Sequence, residues 1–105
     1  MSAVQRDPVE VAEMRAAGAL VLDVREPWEV ALVGLSDAMA IPLGQLPERW
    51  SEVPDDRPVV VLCHHGMRSR QATMFLRAQG REDVYNLMGG IDAYAARVDP
   101  SLARY

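Results

Sequence analysis

The sequence predicts an α/β domain in which a mostly parallel central sheet lies between two layers of helices. Short, nearly continuous apolar runs rich in valine and leucine recur along the chain, which is typical of strands buried on both faces. Helical segments lie between these runs, and buried strands that alternate with helices form a parallel sheet covered by helices. The 105 residues, 50% hydrophobic and 25% charged, suit one modest core, so we predict a single domain over residues 1–105.

The first helix is predicted to begin at Pro8. Asp7 is suited to cap the free backbone N–H groups, proline is tolerated at the first helical position, and Glu10 falls three residues after the cap. Gly18 is expected to end this helix. Residues 20–24, Leu-Val-Leu-Asp-Val, then form the first predicted strand.

The remaining strands and helices are expected to alternate along the chain. Strands are predicted over residues 59–62 and 84–87, and a weaker one over residues 38–41. Helical segments are predicted at residues 27–33, 46–50, 69–79 and 91–97.

The candidate site is the loop that joins the strand at residues 59–62 to the following helix. This loop, residues 63–69, has the sequence Cys-His-His-Gly-Met-Arg-Ser. In open α/β sheets, ligands bind beyond the carboxyl ends of the strands, where a helix N-terminus offers free N–H groups and partial positive charge. That field favours a thiolate, the nucleophilic form of cysteine, over a thiol. We therefore predict that Cys63 is a catalytic nucleophile, although a lone cysteine after an apolar strand is more often a small buried hydrophobe.

The other loop residues are predicted to bind the substrate. Arg68 adds a permanent charge suited to an oxyanion or an anionic sulfur intermediate. The alternative for Arg68 is a solvated cation, which lies unfavourably against the helix dipole unless an anion sits between them. Gly66 permits the unusual backbone angles of a tight cradle. The predicted substrate-binding residues are His64, His65, Gly66, Met67, Arg68 and Ser69.

No metal and no organic cofactor is expected. Structural zinc usually takes four ligands from cysteine and histidine, and the chain has three such residues, which are neighbours in a tight loop. The simpler interpretation of His64 and His65 is that they form walls of the pocket. A pairing of Cys63 with a histidine base stays open, but a thiolate stabilised by loop amides and Arg68 needs no base.

Composition argues against several classes of partner. The net charge is −4 and the cations are spread along the chain, so nucleic acid is not an expected partner. The longest uncharged stretches, residues 30–36, 38–47 and 58–67, are far shorter than the roughly 18 apolar residues of a membrane span. The first eight residues lack the apolar segment of a secretory signal. A single cysteine forms no internal disulfide, which favours a reducing compartment, and we expect a cytoplasmic protein.

Four segments, in order, resemble the single-domain rhodanese family of sulfurtransferases. Residues 22–29, Leu-Asp-Val-Arg-Glu-Pro-Trp-Glu, are similar to its first signature, and Ala38 with residues 41–43, Ile-Pro-Leu, to its second strand region. Residues 63–69 resemble its active-site loop, and residues 85–94, Tyr-Asn-Leu-Met-Gly-Gly-Ile-Asp-Ala-Tyr, its closing motif. The resemblance covers nearly the whole chain.

The chain departs from the family pattern at two places. The family often has His-Ile-Pro-Gly-Ala where residues 34–38 are Gly-Leu-Ser-Asp-Ala, so Gly34 and Asp37 replace the usual histidine and glycine. This departure concerns the geometry of that loop more than the sulfur chemistry. The closing motif has Tyr94 where tryptophan is common.

The resemblance implies a rhodanese-type sulfurtransferase of the thiosulfate:cyanide class. In such an enzyme Cys63 takes a sulfane sulfur from thiosulfate or a persulfide donor, holds it as a persulfide, and passes it to cyanide, a thiol or a protein acceptor. The covalent persulfide replaces any cofactor. Asp23 and Arg25 belong to the first signature, and we expect them to shape the site through hydrogen bonds or an ion pair.

Two alternatives remain open. The first alternative is that the domain is a persulfide relay for a partner protein in sulfur-carrier, cofactor or tRNA thiolation. It stays open because residues 98–105 resemble the tail of rhodanese domains fused to adenylyl-transferring enzymes. The second alternative is an arsenate reductase or phosphatase, which the same fold family includes. Those members have one residue more between cysteine and arginine than the six-residue loop from Cys63 to Arg68, so the spacing favours sulfur.

Overall fold

The computed structural model describes residues 4–105, so the first three residues of the predicted domain lie outside the described residues. The five strands are β1 (Gln5–Arg6), β2 (Leu20–Asp23), β3 (Met39–Ala40), β4 (Val59–Leu62) and β5 (Val84–Leu87). The α-helices are α1 (Pro8–Ala16), α2 (Pro27–Leu32), α3 (Leu46–Arg49), α4 (Met67–Ala78) and α5 (Gly90–Arg97). Two 3₁₀ turns, Leu43–Gln45 and Trp50–Glu52, flank α3. No helix in the described part of the chain is long and apolar enough to cross a membrane.

The strands form one sheet in the order β1-β5-β4-β2-β3, and every pairing is parallel. This confirms the predicted fold class. In the register of the sheet, Asp23 lies beside Leu62 and Val61 beside Asn86. The carboxyl ends of the three central strands therefore meet at one edge, which is where the loop after β4 begins.

Helices cover both faces of the sheet. On one face, α3 and α4 pack Leu46, Ala72 and Leu76 against inward side chains such as Leu22 and Val61. The opposite face is covered by α1 and α5, which contribute Val11, Ile91 and Tyr94 to a second apolar cluster. The apolar strands are buried on both faces because successive side chains point alternately into these two clusters.

Most predicted boundaries agree with the structure to within two residues. The strands predicted at residues 59–62 and 84–87 are found at those positions. Helix α4 begins at Met67, two residues earlier than predicted, because Gly66 serves as its N-cap. Strand β1 was not predicted, since it has two residues and no apolar run.

Candidate active site

Cys63 directly follows β4, at the carboxyl edge of the sheet, and is 1% exposed. Gly66 caps α4 with a left-handed backbone, φ 102°, which glycine adopts without strain. A Cβ at this position would lie 3.1 Å from the Gly89 nitrogen, so the loop has little room for a side chain. The Gly66 N–H donates a 3.1 Å hydrogen bond to Cys63 Sγ. The sulfur thus lies at the N–H end of α4, whose partial charge favours an anion.

A buried polar group from β5 reaches the same loop. Ser69 Oγ lies 3.3 Å from Cys63 Sγ and 2.5 Å from Asn86 Oδ1. The Asn86 Nδ2 donates to the Gly66 carbonyl oxygen at 3.1 Å and to Gln5 Oε1 at 3.0 Å. Asn86 is therefore joined to both residues that hydrogen bond with the sulfur.

The backbone around the Gly-Gly turn at the start of α5 is hydrogen bonded to the loop. The Ile91 N–H donates to the Cys63 carbonyl oxygen at 2.9 Å, and the Asp92 N–H donates to the His64 carbonyl oxygen at 3.1 Å. Gly90 has a φ of 67°, and a Cβ there would lie only 2.3 Å from the His64 carbonyl oxygen. Glycine is required at residue 90 because the backbone of the loop after Cys63 approaches so closely.

Arg68 is bound by a carboxylate of the protein itself. Its two terminal nitrogens donate to the two oxygens of Glu29 at 2.7 and 2.8 Å. These hydrogen bonds lower the pKa of Glu29 to about 2 and raise the pKa of Arg68 above its ordinary value. In the structure Glu29 is the anion that lies against this charge, and the expected role of Arg68 in binding an oxyanion or an anionic sulfur stays a prediction. A favourable charge interaction with Cys63 also contributes to the raised pKa of Arg68.

Asp23 and Arg25 form a buried ion pair beside the loop. The Arg25 Nη2 lies 2.6 Å from Asp23 Oδ2, and both side chains are essentially inaccessible. Arg25 also donates to the Val33 carbonyl oxygen at 2.7 Å and to the Tyr105 hydroxyl at 3.1 Å. The pair ties the end of β2 to the segment after α2, so it shapes the surroundings of the site without touching the sulfur in any described contact.

The two loop histidines stack on each other and on Tyr105. The His64 ring lies 3.8 Å from the His65 ring and 3.8 Å from the Tyr105 ring, the latter at an interplanar angle of 8°. The Tyr105 hydroxyl donates to Glu29 at 2.7 Å. Tyr105 therefore covers one face of the loop after β4 and reaches the pair formed by Glu29 and Arg68.

Three ligand atoms of His64, His65 and Asp92 lie within 4.8 Å of one another. They fit a metal ion poorly. The stacked histidine rings are within 25° of parallel, so their lone pairs point side by side and do not converge on one point. Asp92 is also paired with Arg104 at 2.9 and 3.1 Å. The expectation that the site needs no metal stays a prediction.

Two apolar side chains at the rim of the site are strongly exposed. Met67 is 83% exposed and Trp28 is 63% exposed. Met67 and Met88 line a cleft of about 240 Å³ that runs along Gly66 and Asn86. The prediction that Met67 contacts a donor or acceptor is compatible with this position.

The departures from the family pattern have structural explanations. Asp37 has a φ of 64°, a left-handed conformation that aspartate tolerates better than most residues and that glycine adopts freely. Asp37 thus adopts a conformation that glycine, the residue that the family often has here, reaches freely. Tyr94 is 4% exposed, and its hydroxyl accepts a hydrogen bond from Arg15 at 2.9 Å. It fills the apolar cluster under α1 and α5.

Several residues that build the site were not predicted from the sequence. Glu29 and the Gly89-Gly90 turn lie inside the recognised signatures, but no role was assigned to them. Asn86 and Tyr105 gave no local signal, because their contacts with Ser69 and His64 join positions far apart in the sequence. The assembled site is a buried sulfur with an N–H donor, a helix N-terminus and a nearby cation, an arrangement suited to a nucleophilic thiolate.

The chain is similar to known proteins over most of its length. Residues 7–97 match the rhodanese-like domain family. A protein named sulfurtransferase from Allochromatium vinosum is 44% identical over 84 residues, covering 80% of this chain and 78% of that protein. The thiosulfate sulfurtransferase GlpE of Ectopseudomonas mendocina is 34% identical over 89 residues, covering 85% and 82% of the two chains. A solved structure, the rhodanese-related protein of Thermoplasma volcanium, has a TM-score of 0.85 at 29% identity and covers 96% of this chain and 98% of its own.

Proposed function

This chain belongs to the rhodanese-like domain family, and from that premise we propose that it transfers a sulfane sulfur through a persulfide on Cys63. The observation that carries the proposal is the position of Cys63 Sγ, which accepts a hydrogen bond from the Gly66 N–H at 3.1 Å beside the N-terminus of α4. Relatives named sulfurtransferase support a transferase of this type.

The first half-reaction loads the enzyme. The Cys63 thiolate attacks the outer sulfur of thiosulfate, a new S–S bond forms to Sγ, and the S–S bond of thiosulfate breaks. The electron pair of the broken bond leaves with sulfite. The outer sulfur of the resulting persulfide is anionic, so the N–H groups at the start of α4 stabilise it electrostatically.

The second half-reaction discharges the sulfur. A nucleophile such as cyanide or a thiol attacks the outer sulfur, and the electron pair of the persulfide bond returns to Cys63 Sγ as a thiolate. With cyanide the product is thiocyanate. The sequence has no second cysteine that could form an internal disulfide, so the acceptor is an outside molecule.

Transfer to or from a protein partner is the second candidate. The exposed apolar side chains of Met67 and Trp28 at the rim of the site favour it, because apolar groups exposed beside a reactive centre suit a docking partner. Phosphate or arsenate chemistry has less support, since the loop from Cys63 to Arg68 is one residue shorter than in the phosphatase and arsenate reductase members of the fold family.

The proposal is tested by intact-mass measurement after incubation with thiosulfate, alongside a Cys63→Ser variant that keeps the shape of the side chain. We expect the mass to rise by about one sulfur atom in the unmodified protein only, and cyanide to reverse the gain. A gain from a persulfidated protein donor but not from thiosulfate would select the relay. No gain from either donor would overturn the proposal, and hydrolysis of p-nitrophenyl phosphate would then be measured.

A further inference from the structure

The Ser69 hydroxyl, buried in the first turn of α4, lies between two hydrogen-bond acceptors. Its oxygen is 2.5 Å from Asn86 Oδ1 and 3.3 Å from Cys63 Sγ. A hydroxyl has one hydrogen and two lone pairs, so it donates to one of these atoms at a time. Ser69 is 0% exposed and Asn86 is 1% exposed, so bulk water cannot take the place of either hydrogen-bond partner.

The other partners of Asn86 set the orientation of its amide. The Asn86 nitrogen lies 3.1 Å from the carbonyl oxygen of Gly66, and a carbonyl oxygen only accepts. The amide nitrogen must therefore face Gly66, and the amide oxygen must face Ser69. Because two oxygens 2.5 Å apart repel unless a hydrogen lies between them, the Ser69 proton points to Asn86. Ser69 then turns a lone pair toward the Cys63 sulfur.

We propose that Asn86 competes with the Cys63 sulfur for the single Ser69 proton, and so favours the thiol and the persulfide over the thiolate. A thiol donates its own hydrogen to Ser69 Oγ, which leaves the bond between Ser69 and Asn86 intact. In a persulfide the negative charge lies on the outer sulfur, so Sγ needs no donor from Ser69. The thiolate alone needs the Ser69 proton, and taking it leaves the buried Asn86 oxygen without a donor, which is unfavourable.

This competition would control how long the persulfide survives, and that consequence rests on the proposed function. Discharge leaves the electron pair of the S–S bond on Cys63 Sγ. A cysteine whose thiolate is less stable is a poorer leaving group, so discharge is slower. Asn86 is thus inferred to be a positioning residue that acts through Ser69 and lengthens the life of the loaded state.

Several charged groups on the elements around this loop also influence the sulfur. Arg68 of α4 has a favourable charge interaction with it, and Glu29 of α2 is paired with Arg68. The others are the ion pair of Asp23 and Arg25 after β2, the two loop histidines, and Asp92 of α5. Asn86 and Ser69 are uncharged, so substitutions there alter hydrogen bonds without changing this set of charges.

The test is the rate of Cys63 alkylation by iodoacetamide as a function of pH, measured without any sulfur donor. The chain has one cysteine, so the rate reports this site alone. For Asn86→Leu we expect the pH midpoint to fall by about one unit, because Ser69 is then free to donate to the thiolate. Adding Asn86→Leu to Ser69→Ala should cause no further fall, because Asn86 acts through the Ser69 hydroxyl. Thr73→Val is the matched control, because it removes a buried hydroxyl whose 2.7 Å bond goes to the Ser69 carbonyl oxygen and not to Oγ.

Ser69→Ala alone keeps the proposal falsifiable if Asn86→Leu does not fold. The proposal expects its midpoint to stay or to fall, and not to rise, because Ser69 gives its proton to Asn86 and only accepts a hydrogen from the thiol. A rise of about one unit would mean that Ser69 serves the thiolate, and would overturn the proposal. A rise or no change in Asn86→Leu, or a fall of about one unit in the double variant relative to Ser69→Ala, would also overturn it. Because the assay needs no sulfur donor, failure here is distinguishable from failure of the sulfur-transfer proposal.

Discussion

The Glu29 carboxylate of α2 accepts two hydrogen bonds from the Arg68 guanidinium of α4, at 2.7 and 2.8 Å. A cation in the first turn of a helix lies against the helix dipole, and a carboxylate beside it offsets that cost. Glu29 is 3% exposed and also accepts from the Tyr105 hydroxyl at 2.7 Å. The two residues therefore fix the start of α4, and with it the loop that carries Cys63, to the segment after β2.

This pair predicts a particular loss of stability in acid. Hydrogen bonds from Arg68 lower the pKa of Glu29 from 4.5 to about 2, so the folded state favours the charged carboxylate. Its contribution to the free energy of unfolding is fully present above pH 4.5 and is lost as the pH falls toward 2. For Glu29→Gln we expect a free energy of unfolding at pH 7 lower by about 3 kcal/mol, with the difference shrinking as the pH falls.

Urea unfolding of both proteins at pH 7 and at pH 2.5 measures this effect. Glu52→Gln is the matched control, because Glu52 forms a 3.0 Å pair with Arg49 that is exposed to solvent. Solvent screening makes such a pair contribute little to stability. The free energy of unfolding of Glu52→Gln should therefore change between the two pH values by as much as that of the unmodified protein. If Glu29→Gln lowered the free energy of unfolding equally at both pH values, the charge of Glu29 would not be the source of its contribution to stability.

Arg25→Lys should be strongly destabilising although it keeps the charge. Arg25 Nη2 donates to Asp23 Oδ2 at 2.6 Å and to the Val33 carbonyl oxygen at 2.7 Å, and Nη1 donates to the Tyr105 hydroxyl. A lysine has a single ammonium group and cannot reproduce this planar fork. We expect the free energy of unfolding to fall by about 3 kcal/mol. Arg49→Lys, in the exposed pair with Glu52, is the control in the same urea titration. If Arg25→Lys lowered the free energy of unfolding as little as this control does, the planar guanidinium of Arg25 would not be required.

The fold was predictable because its main signal is local. The apolar runs of β2, β4 and β5 and the helices between them are visible in short windows, and their alternation specifies a parallel sheet. The missed strand, β1, has no such signal. It exists because it pairs with β5, where the Asn86 N–H donates to the Val4 carbonyl oxygen at 2.7 Å and the Met88 N–H to that of Arg6 at 2.8 Å.

From the sequence, the site was predictable only within the loop of residues 63–69. Cys63, Gly66 and Arg68 stand together in the sequence, so their proximity needed no knowledge of the fold. The partner of Arg68 lies 39 residues away, and the partner of Ser69 lies 17 residues away on another strand. Pairings of that kind depend on the packed arrangement of elements, and hydrophobic periodicity carries no information about them.

The Gly-Gly turn gives a prediction that separates backbone strain from close contact. Gly90 and Gly80 both have a positive φ, 67° and 97°. A Cβ at Gly90 would lie 2.3 Å from the His64 carbonyl oxygen, whereas nothing lies within 4 Å of a Cβ at Gly80. We expect Gly80→Ala to cost about 1 kcal/mol from the backbone conformation alone, and Gly90→Ala at least about 3 kcal/mol in urea unfolding. Equal decreases in the free energy of unfolding would show that the loop after Cys63 can move away from residue 90 without destabilising the fold.

Tyr105 offers two separable contributions, one from its ring and one from its hydroxyl. The ring lies against His64 at 3.8 Å, while the hydroxyl donates to Glu29 at 2.7 Å and accepts from Arg25 at 3.1 Å. Tyr105→Phe keeps the ring, so it should cost about 1 kcal/mol in the free energy of unfolding and leave the loop protected. Tyr105→Ala removes both, which uncovers His64 and should speed amide hydrogen exchange in residues 63–69. Exchange measured on the two variants distinguishes the contributions: equally fast exchange in both would mean that the hydroxyl, and not the stacked ring, holds the loop after β4 in place.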